Sequence, residues 1–170
     1  MPDTDAHTLG SVAELERMAR DLHTALAGDG FRKRRRMVLP LLTTDPEGFP
    51  RVALLTMGEV RANSASELAV AVRADSRTAF NLVRRGTATL LYMNRRTTAS
   101  VQARAGRGRA SGADPARVLF PLKVEHVRVD HPAAEEGEVA LLTGPTFGGT
   151  GAAGLFSDEL FDELGNVRPE

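Results

Sequence analysis

Two stretches of the chain show apolar residues at helical spacing with clear start and stop signals. The first begins at Ser11, which opens a capping box, and ends near Gly28. The second begins with Asp75 or Ser76 as its N-cap and is closed by Gly86. We therefore predict an N-terminal helix and one helix inserted between strands.

Most of the remaining apolar positions predict strands. The turn signal at 45–48 separates the first two, which should form a hairpin, and 59–66 is interpreted as a variable loop. Strands joined mostly by hairpins favour a mainly β fold, a six-stranded antiparallel barrel decorated with helices, over a doubly wound sheet. The six predicted strands are 37–44, 51–57, 68–73, 87–93, 100–110 and 123–130.

Composition and charge exclude several functions. The sequence has no cysteine, which removes disulfides and thiol chemistry, and its four histidines show no metal-ligand spacing, so we expect no metal site. With 22 basic and 22 acidic residues the net charge is zero, which argues against a nucleic-acid partner. The basic run 32–36 is accordingly interpreted as a solvated connector. No segment is apolar enough to span a membrane and 1–10 lacks a signal core, so we expect a cytoplasmic protein.

The sequence texture divides the chain into three parts. Residues 1–10 are interpreted as a flexible tail, 11–130 as the barrel domain, and 131–170 as a C-terminal loop with one short helix, 157–164. The glycine-rich segment 144–151 lacks the lysine and the strand–helix setting of a phosphate loop. It is better interpreted as a flexible or lid-like loop.

The strongest candidate for chemistry is an anion site at the start of the inserted helix. A helix N-terminus attracts phosphate, and Arg77 beside Ser76, with Arg51 from a nearby strand, would add charge-assisted contacts. From the residues alone, the alternative that Ser76 is only an N-cap and both arginines are solvated stays open.

An ordered series of short motifs between residues 37 and 129 resembles a known family. The matches are Thr43-Thr44-Asp45-Pro46-Glu47-Gly48-Phe49-Pro50, then Arg51-Val52-Ala53-Leu54-Leu55, Ala71-Val72, Asp75-Ser76-Arg77-Thr78, Asn81-Leu82 and Ala88-Thr89-Leu90-Leu91. This stretch is similar to the flavin-binding split barrel of the pyridoxamine 5'-phosphate oxidase family. The resemblance implies FMN as cofactor and a homodimer in which each FMN lies in the groove between two barrels.

The resemblance also implies cofactor-binding residues. Phosphate contacts would come from Arg51, Ser76 and Arg77, with Thr78 and Thr56 standing where the family has lysines. The strand from Val52 to Leu55 would line the flavin edge. The full implied set is Arg51, Val52, Leu54, Leu55, Thr56, Ala71, Val72, Ser76, Arg77, Thr78, and Ser100 or Gln102 from the fifth predicted strand.

Departures from the family limit the function that the resemblance implies. The true oxidases close with a segment bearing arginine and tryptophan, and this chain has no tryptophan. The resemblance therefore implies an FMN-binding oxidoreductase that acts on another small organic substrate. Two alternatives remain: a split barrel that binds the deazaflavin F420 or haem, and a non-catalytic flavin-binding or stress-response protein.

Overall fold

The computed structural model describes residues 20, 22–27, 36–94, 97–130, 141, 143–149 and 157–169. The predicted tail 1–10, the first part of the predicted N-terminal helix and most of the basic run lie outside these residues. Within them, 22–26 are helical as predicted, and Leu22 and Leu26 are buried against the barrel.

The described strands are β1 Val38–Thr44, β2 Pro50–Thr56, β3 Val60–Ser64, β4 Glu67–Arg73, β5 Thr87–Asn94, β6 Thr97–Ala105, β7 Arg109–Ala110 and β8 Arg117–Asp130. They form a wholly antiparallel sheet of order β2-β1-β5-β6-β8-β4-β3, with β7 paired to β8. The two edge strands, β2 and β3, are consecutive and are joined by a 3-10 turn, Met57–Glu59. The predicted mainly β split barrel is confirmed.

The predicted count of six strands is wrong, because the described sheet has eight. The segment 59–66 is not a loop: β3 buries Val60 and Ala62 opposite Val70 and Leu68 of β4. Its alternation was hidden by residues such as alanine, asparagine and serine, which form strands poorly. Likewise, the predicted strand 100–110 is interrupted at 106–108, which separates β6 from β7.

The barrel interior follows from the two-residue period of the strands. Leu41, Leu90 and Val101 lie side by side on β1, β5 and β6 and are all fully buried. The alternate positions of the same strands form the opposite face, which we call the outer face. Since β4 is buried along Leu68–Val72 without alternation, both of its faces must be covered.

The inserted helix, Arg77–Arg85, has the predicted caps. The Ser76 hydroxyl accepts a hydrogen bond from the Ala79 N–H at 3.1 Å, and Gly86 ends the helix in the left-handed conformation, φ 66°. Leu82 packs into the core, and Asn81 Nδ2 donates to Thr43 Oγ1 at 3.0 Å. The helix therefore lies against β1 and is fixed at both ends.

A C-terminal helix, Asp158–Leu164, covers the second face of β4. Leu160 and Leu164 pack on Ala69, Ala71 and on Leu119 of β8. Asn63 of β3 fastens the helix end, because its Nδ2 donates to the carbonyls of Leu164 at 3.0 Å and Val167 at 2.8 Å. The short helix predicted over 157–164 is confirmed, and it is packed on the barrel.

Part of the glycine-rich segment is paired with the start of β1. Thr146 forms a β-bridge with Met37, and the Val38 N–H donates to the Pro145 carbonyl at 2.8 Å. This pairing carries Phe147 to the side of the barrel where the candidate site lies. None of the helices in the described part of the chain is long and apolar enough to cross a membrane.

Candidate functional site

A groove of about 470 Å³ lies where β2, the 3-10 turn, the start of the inserted helix and the start of β8 meet. Phe147 and the first turn of the C-terminal helix complete its rim. Its volume is within the range of cofactor and small-ligand sites. The groove is the candidate site, and it brings together segments far apart in the sequence.

One wall of the groove is apolar. Leu54 and Leu55 of β2, Val72 of β4, Phe147 and Leu160 all line it. Leu54 is 58% exposed, so its side chain presents an uncovered apolar surface at the groove. Such a wall suits a flat aromatic ring system, which gains free energy by leaving water.

The N-terminus of the inserted helix also borders the groove. Ser76 and Thr78 line it, and Ser76 Oγ also donates to the Arg73 carbonyl at 2.7 Å. The first-turn N–H groups of a helix and its dipole favour an anion at this point. Arg77, exposed beside Ser76, adds a positive charge close to the same turn.

The floor of the groove holds balanced charges. Arg73 of β4 and Arg117 of β8 lie directly opposite each other in the register, an arrangement that would be repulsive without acidic partners. Arg117 pairs with the buried Glu59 and with Asp114 at 3.5 Å. Arg73 makes two hydrogen bonds to Asp75, at 3.0 and 2.9 Å, which lower the pKa of Asp75.

Glu59 connects the floor to the end of β2. Its Oε2 accepts a hydrogen bond from the Thr56 N–H at 2.7 Å, while Oε1 faces Arg117. A buried carboxylate requires such partners, because burial without them would be costly. The pair therefore fixes the 3-10 turn between β2 and β3 on β8.

Behind the floor, the loop after β7 binds the carboxylate of Glu163 from the C-terminal helix. Its oxygens accept hydrogen bonds from Ser111 Oγ at 2.6 Å, the Gly112 N–H at 3.0 Å and the Ala113 N–H at 3.2 Å. Arg109 Nη1 lies at 3.0 Å. Partial burial alone would raise the pKa of Glu163, but these hydrogen bonds and the Arg109 charge lower it to about 2.

Half of the twelve residues expected at the cofactor line the groove: Leu54, Leu55, Thr56, Val72, Ser76 and Thr78. Among the described residues, Arg51 and Arg77 are exposed but do not line it. Ala71 is placed elsewhere, since it points away from the barrel interior and is buried under the C-terminal helix. That a residue borders the groove does not test its role, so the cofactor contacts stay predictions.

Val52, Ser100 and Gln102 lie on the outer face. Val52 opposes Leu42, which opposes Thr89, which opposes Gln102, so the four form one row across β2, β1, β5 and β6. Three strand spacings, about 14 Å, separate Val52 from Gln102. Within one chain, Ser100 and Gln102 are therefore well removed from β2.

The sequence interpretation missed the charged floor and the C-terminal side of the groove. One signal was present: Thr56 and Glu59 have the Thr-x-x-Glu spacing of a capping box. Phe147, Leu160 and Arg117 carry no comparable local signal, because only chain folding places them beside β2.

No protein-family model and no curated protein sequence matches this chain. Solved structures do match its fold. An FMN-binding protein from Syntrophomonas wolfei subsp. wolfei aligns with a TM-score of 0.52 and 14% identity, over 69% of this chain and 91% of that chain. The HupZ protein of Group A Streptococcus aligns with a TM-score of 0.50 and 14% identity, over 78% and 98%. At such identities the similarity shows a shared fold.

Proposed function

We propose that this protein binds FMN in the groove and acts as a flavin-dependent oxidoreductase on a small organic substrate. The observation that carries the proposal is the composition of the groove, which is lined both by apolar side chains, Leu54 and Val72 among them, and by Ser76 at the N-terminus of the inserted helix. A ring system and a phosphate need these two surfaces side by side. The fold shared with an FMN-binding protein supports this assignment.

The phosphate would lie at the helix N-terminus. The first-turn N–H groups supply donors and Arg77 supplies charge. The Ser76 hydroxyl adds a further donor when its proton turns from the Arg73 carbonyl to the phosphate. Arg51 is paired with Thr43 of β1, so the two side chains lie on the same face of the sheet. Thr43 accepts the hydrogen bond that Asn81 of the inserted helix donates. Asn81 follows Ser76 by five residues, a rise of about 7.5 Å, and a long arginine side chain covers that distance.

The ring would lie along Leu54 to Thr56, with Phe147 and Leu160 limiting water access. When bound, flavin supplies the electron-transfer chemistry, and the protein contributes binding, orientation and electrostatics. Among the lining residues, the negative charges of Glu59 and Asp114 balance the positive charges of Arg73 and Arg117. The floor therefore has no strong net field, which suits an uncharged substrate.

The outer face suits a second copy of this chain. Val52 and Leu54 are 60% and 58% exposed on it, and Leu42 lies beside them. A homodimer through this face would place a partner against the open side of the groove. Light scattering during size-exclusion chromatography tests this: the Val52→Asp variant should shift a dimer towards monomer, and a monomeric wild type would contradict it.

FMN titration into apo-protein, followed by flavin fluorescence, tests the cofactor assignment. Hydrogen bonds to charged groups contribute about 1.5–3 kcal/mol, so Arg51→Ala should weaken FMN binding by at least about tenfold. Arg84→Ala is the matched control, since Arg84 is also an exposed arginine but lies at the C-terminal end of the inserted helix, away from Ser76. A wild type that binds no flavin would refute the proposal, and its visible spectrum would show whether haem is present instead.

A further inference from the structure

We infer that Glu163 is a positioning residue for the groove: through the loop after β7, its carboxylate holds Arg117 over Glu59. The inference rests on the proposed function, because it gives the C-terminal helix a role in the site where FMN is proposed to bind. The geometry itself concerns only contacts within the chain.

The first step of the connection is the carboxylate site. Glu163 accepts hydrogen bonds from Ser111, Gly112 and Ala113, so three successive residues of the loop are bound to one side chain. The arrangement of a hydroxyl, two neighbouring N–H groups and Arg109 is an oxyanion-binding nest. The C-terminal helix therefore supplies an internal anion that orders this loop.

The second step leads from the loop to the floor of the groove. The Asp114 N–H donates to Ser111 Oγ at 3.0 Å, and the Ser111 N–H donates to the Arg117 carbonyl at 3.1 Å. The Arg117 N–H in turn donates to the Asp114 carbonyl at 2.9 Å. The hydroxyl that binds Glu163 is thus the same hydroxyl that fixes the turn leading into Arg117.

The third step ends at β2. The Arg117 guanidinium pairs with Glu59, and Glu59 accepts from the Thr56 N–H. Thr56 and Glu59 both line the groove, as do Ser157 and Leu160 of the same helix that bears Glu163. A continuous series of hydrogen bonds and ion pairs therefore joins the C-terminal helix to the residues that would face the flavin.

Amide hydrogen exchange at Thr56, measured by NMR without flavin, tests this connection. In Glu163→Ala, protection at Gly112 and Ala113 falls for any role, and a positioning role predicts that protection at Thr56 also falls, by about tenfold. Because the C-terminal helix also contacts the 3-10 turn directly, the route through Arg117 is decided by comparison with Arg117→Ala. Arg117→Ala should lower Thr56 protection as much, and the double variant should lower it no further. Protection at Leu90 is the internal reference for a global loss of stability.

Asp162→Ala is the matched control, because Asp162 is an exposed carboxylate on the same helix that contacts Arg61 rather than the loop. It should leave Thr56 protection unchanged. Should Glu163→Ala fail to fold, Glu163→Gln keeps the side-chain volume and removes the charge. Added acetate should enter the emptied nest and restore Thr56 protection in Glu163→Ala, with no effect on the wild type.

The flavin titration then separates this inference from the proposed function. FMN affinity should fall in Glu163→Ala and recover with acetate. Unchanged Thr56 exchange in Glu163→Ala, or additive effects of the two single variants, would overturn the positioning role even if FMN binds. If Thr56 protection falls in Glu163→Ala as expected but the wild type binds no FMN, the positioning role stands and the cofactor assignment is rejected.

Discussion

Replacing Ser76 with aspartate separates the two roles that this residue combines. Ser76 Oγ accepts from the Ala79 N–H as the helix N-cap and donates to the Arg73 carbonyl. Aspartate is as good an N-cap as serine, so the Ser76→Asp helix should keep its stability. The carboxylate has no proton to donate, however, and places a negative charge where the FMN phosphate would lie.

The expected loss follows from two contributions. The Ser76 hydroxyl has one proton, so bonding the phosphate requires it to turn from the Arg73 carbonyl; a gain of about 1.5–3 kcal/mol is then offset by about 1 kcal/mol for the bond given up. Repulsion between unit charges about 4 Å apart adds about 1 kcal/mol even at the dielectric constant of water. Together these contributions amount to at least about 1.5 kcal/mol, so FMN affinity should fall by at least about tenfold.

Riboflavin, which has the same ring and no phosphate, provides the comparison. Fluorescence titration of both ligands should show that Ser76→Asp loses FMN affinity and retains riboflavin affinity. Ser157→Asp is the control, because Ser157 is also an N-cap serine at the groove, accepting from the Leu160 N–H at 3.2 Å. An equal loss for both ligands, or none for either, would refute the phosphate site at the inserted helix.

Three further predictions concern stability. Because the pKa of Glu163 is lowered from 4.5 to about 2, its contribution to the free energy of unfolding is complete above pH 4.5 and is lost as the pH falls towards 2. The stability difference between wild type and Glu163→Gln, measured by urea unfolding, should therefore shrink over that range. A difference that stays constant with pH would contradict this prediction. Leu164→Ala, at a fully buried position under β4, should cost about 2–5 kcal/mol by urea denaturation, whereas Leu141→Ala, exposed, should cost little. Gly86→Ala should cost about 1–2 kcal/mol, seen as a lower Tm, since φ is 66° there; an unchanged Tm would contradict this.

Local signals in the sequence determined the elements whose information lies within a few residues. The β1–β2 hairpin follows from the turn at 45–48, whose Gly48 has φ 94°. The inserted helix follows from the Ser76 cap and Gly86, and the C-terminal helix from an apolar stripe behind Ser157. The short apolar runs of β1, β4 and β5, with turn signals between strands, were enough to indicate an antiparallel sheet.

The same local signals failed where a segment depends on its neighbours. β3 is a strand because β4 pairs with it and the C-terminal helix binds Asn63, not because its residues favour strands. Ala71 was expected beside Val72 at the cofactor, but adjacent residues of a strand point to opposite faces, and β4 is covered on both. One residue of register therefore decided which of the two borders the groove.

The charged part of the site was decided by tertiary structure alone. Glu163 reaches Gly112 across 51 residues, and Arg117 meets Glu59 from β8, which β4 separates from β3 in the sheet. No pattern in the sequence specifies such pairs, because their separation is fixed only when β8 lies beside β4 and the C-terminal helix packs behind it. The sequence alone determined the hairpin, the inserted helix with its caps and the C-terminal helix. Folding determined which side chains share the groove, since a site built from distant segments exists only once long-range packing holds them together.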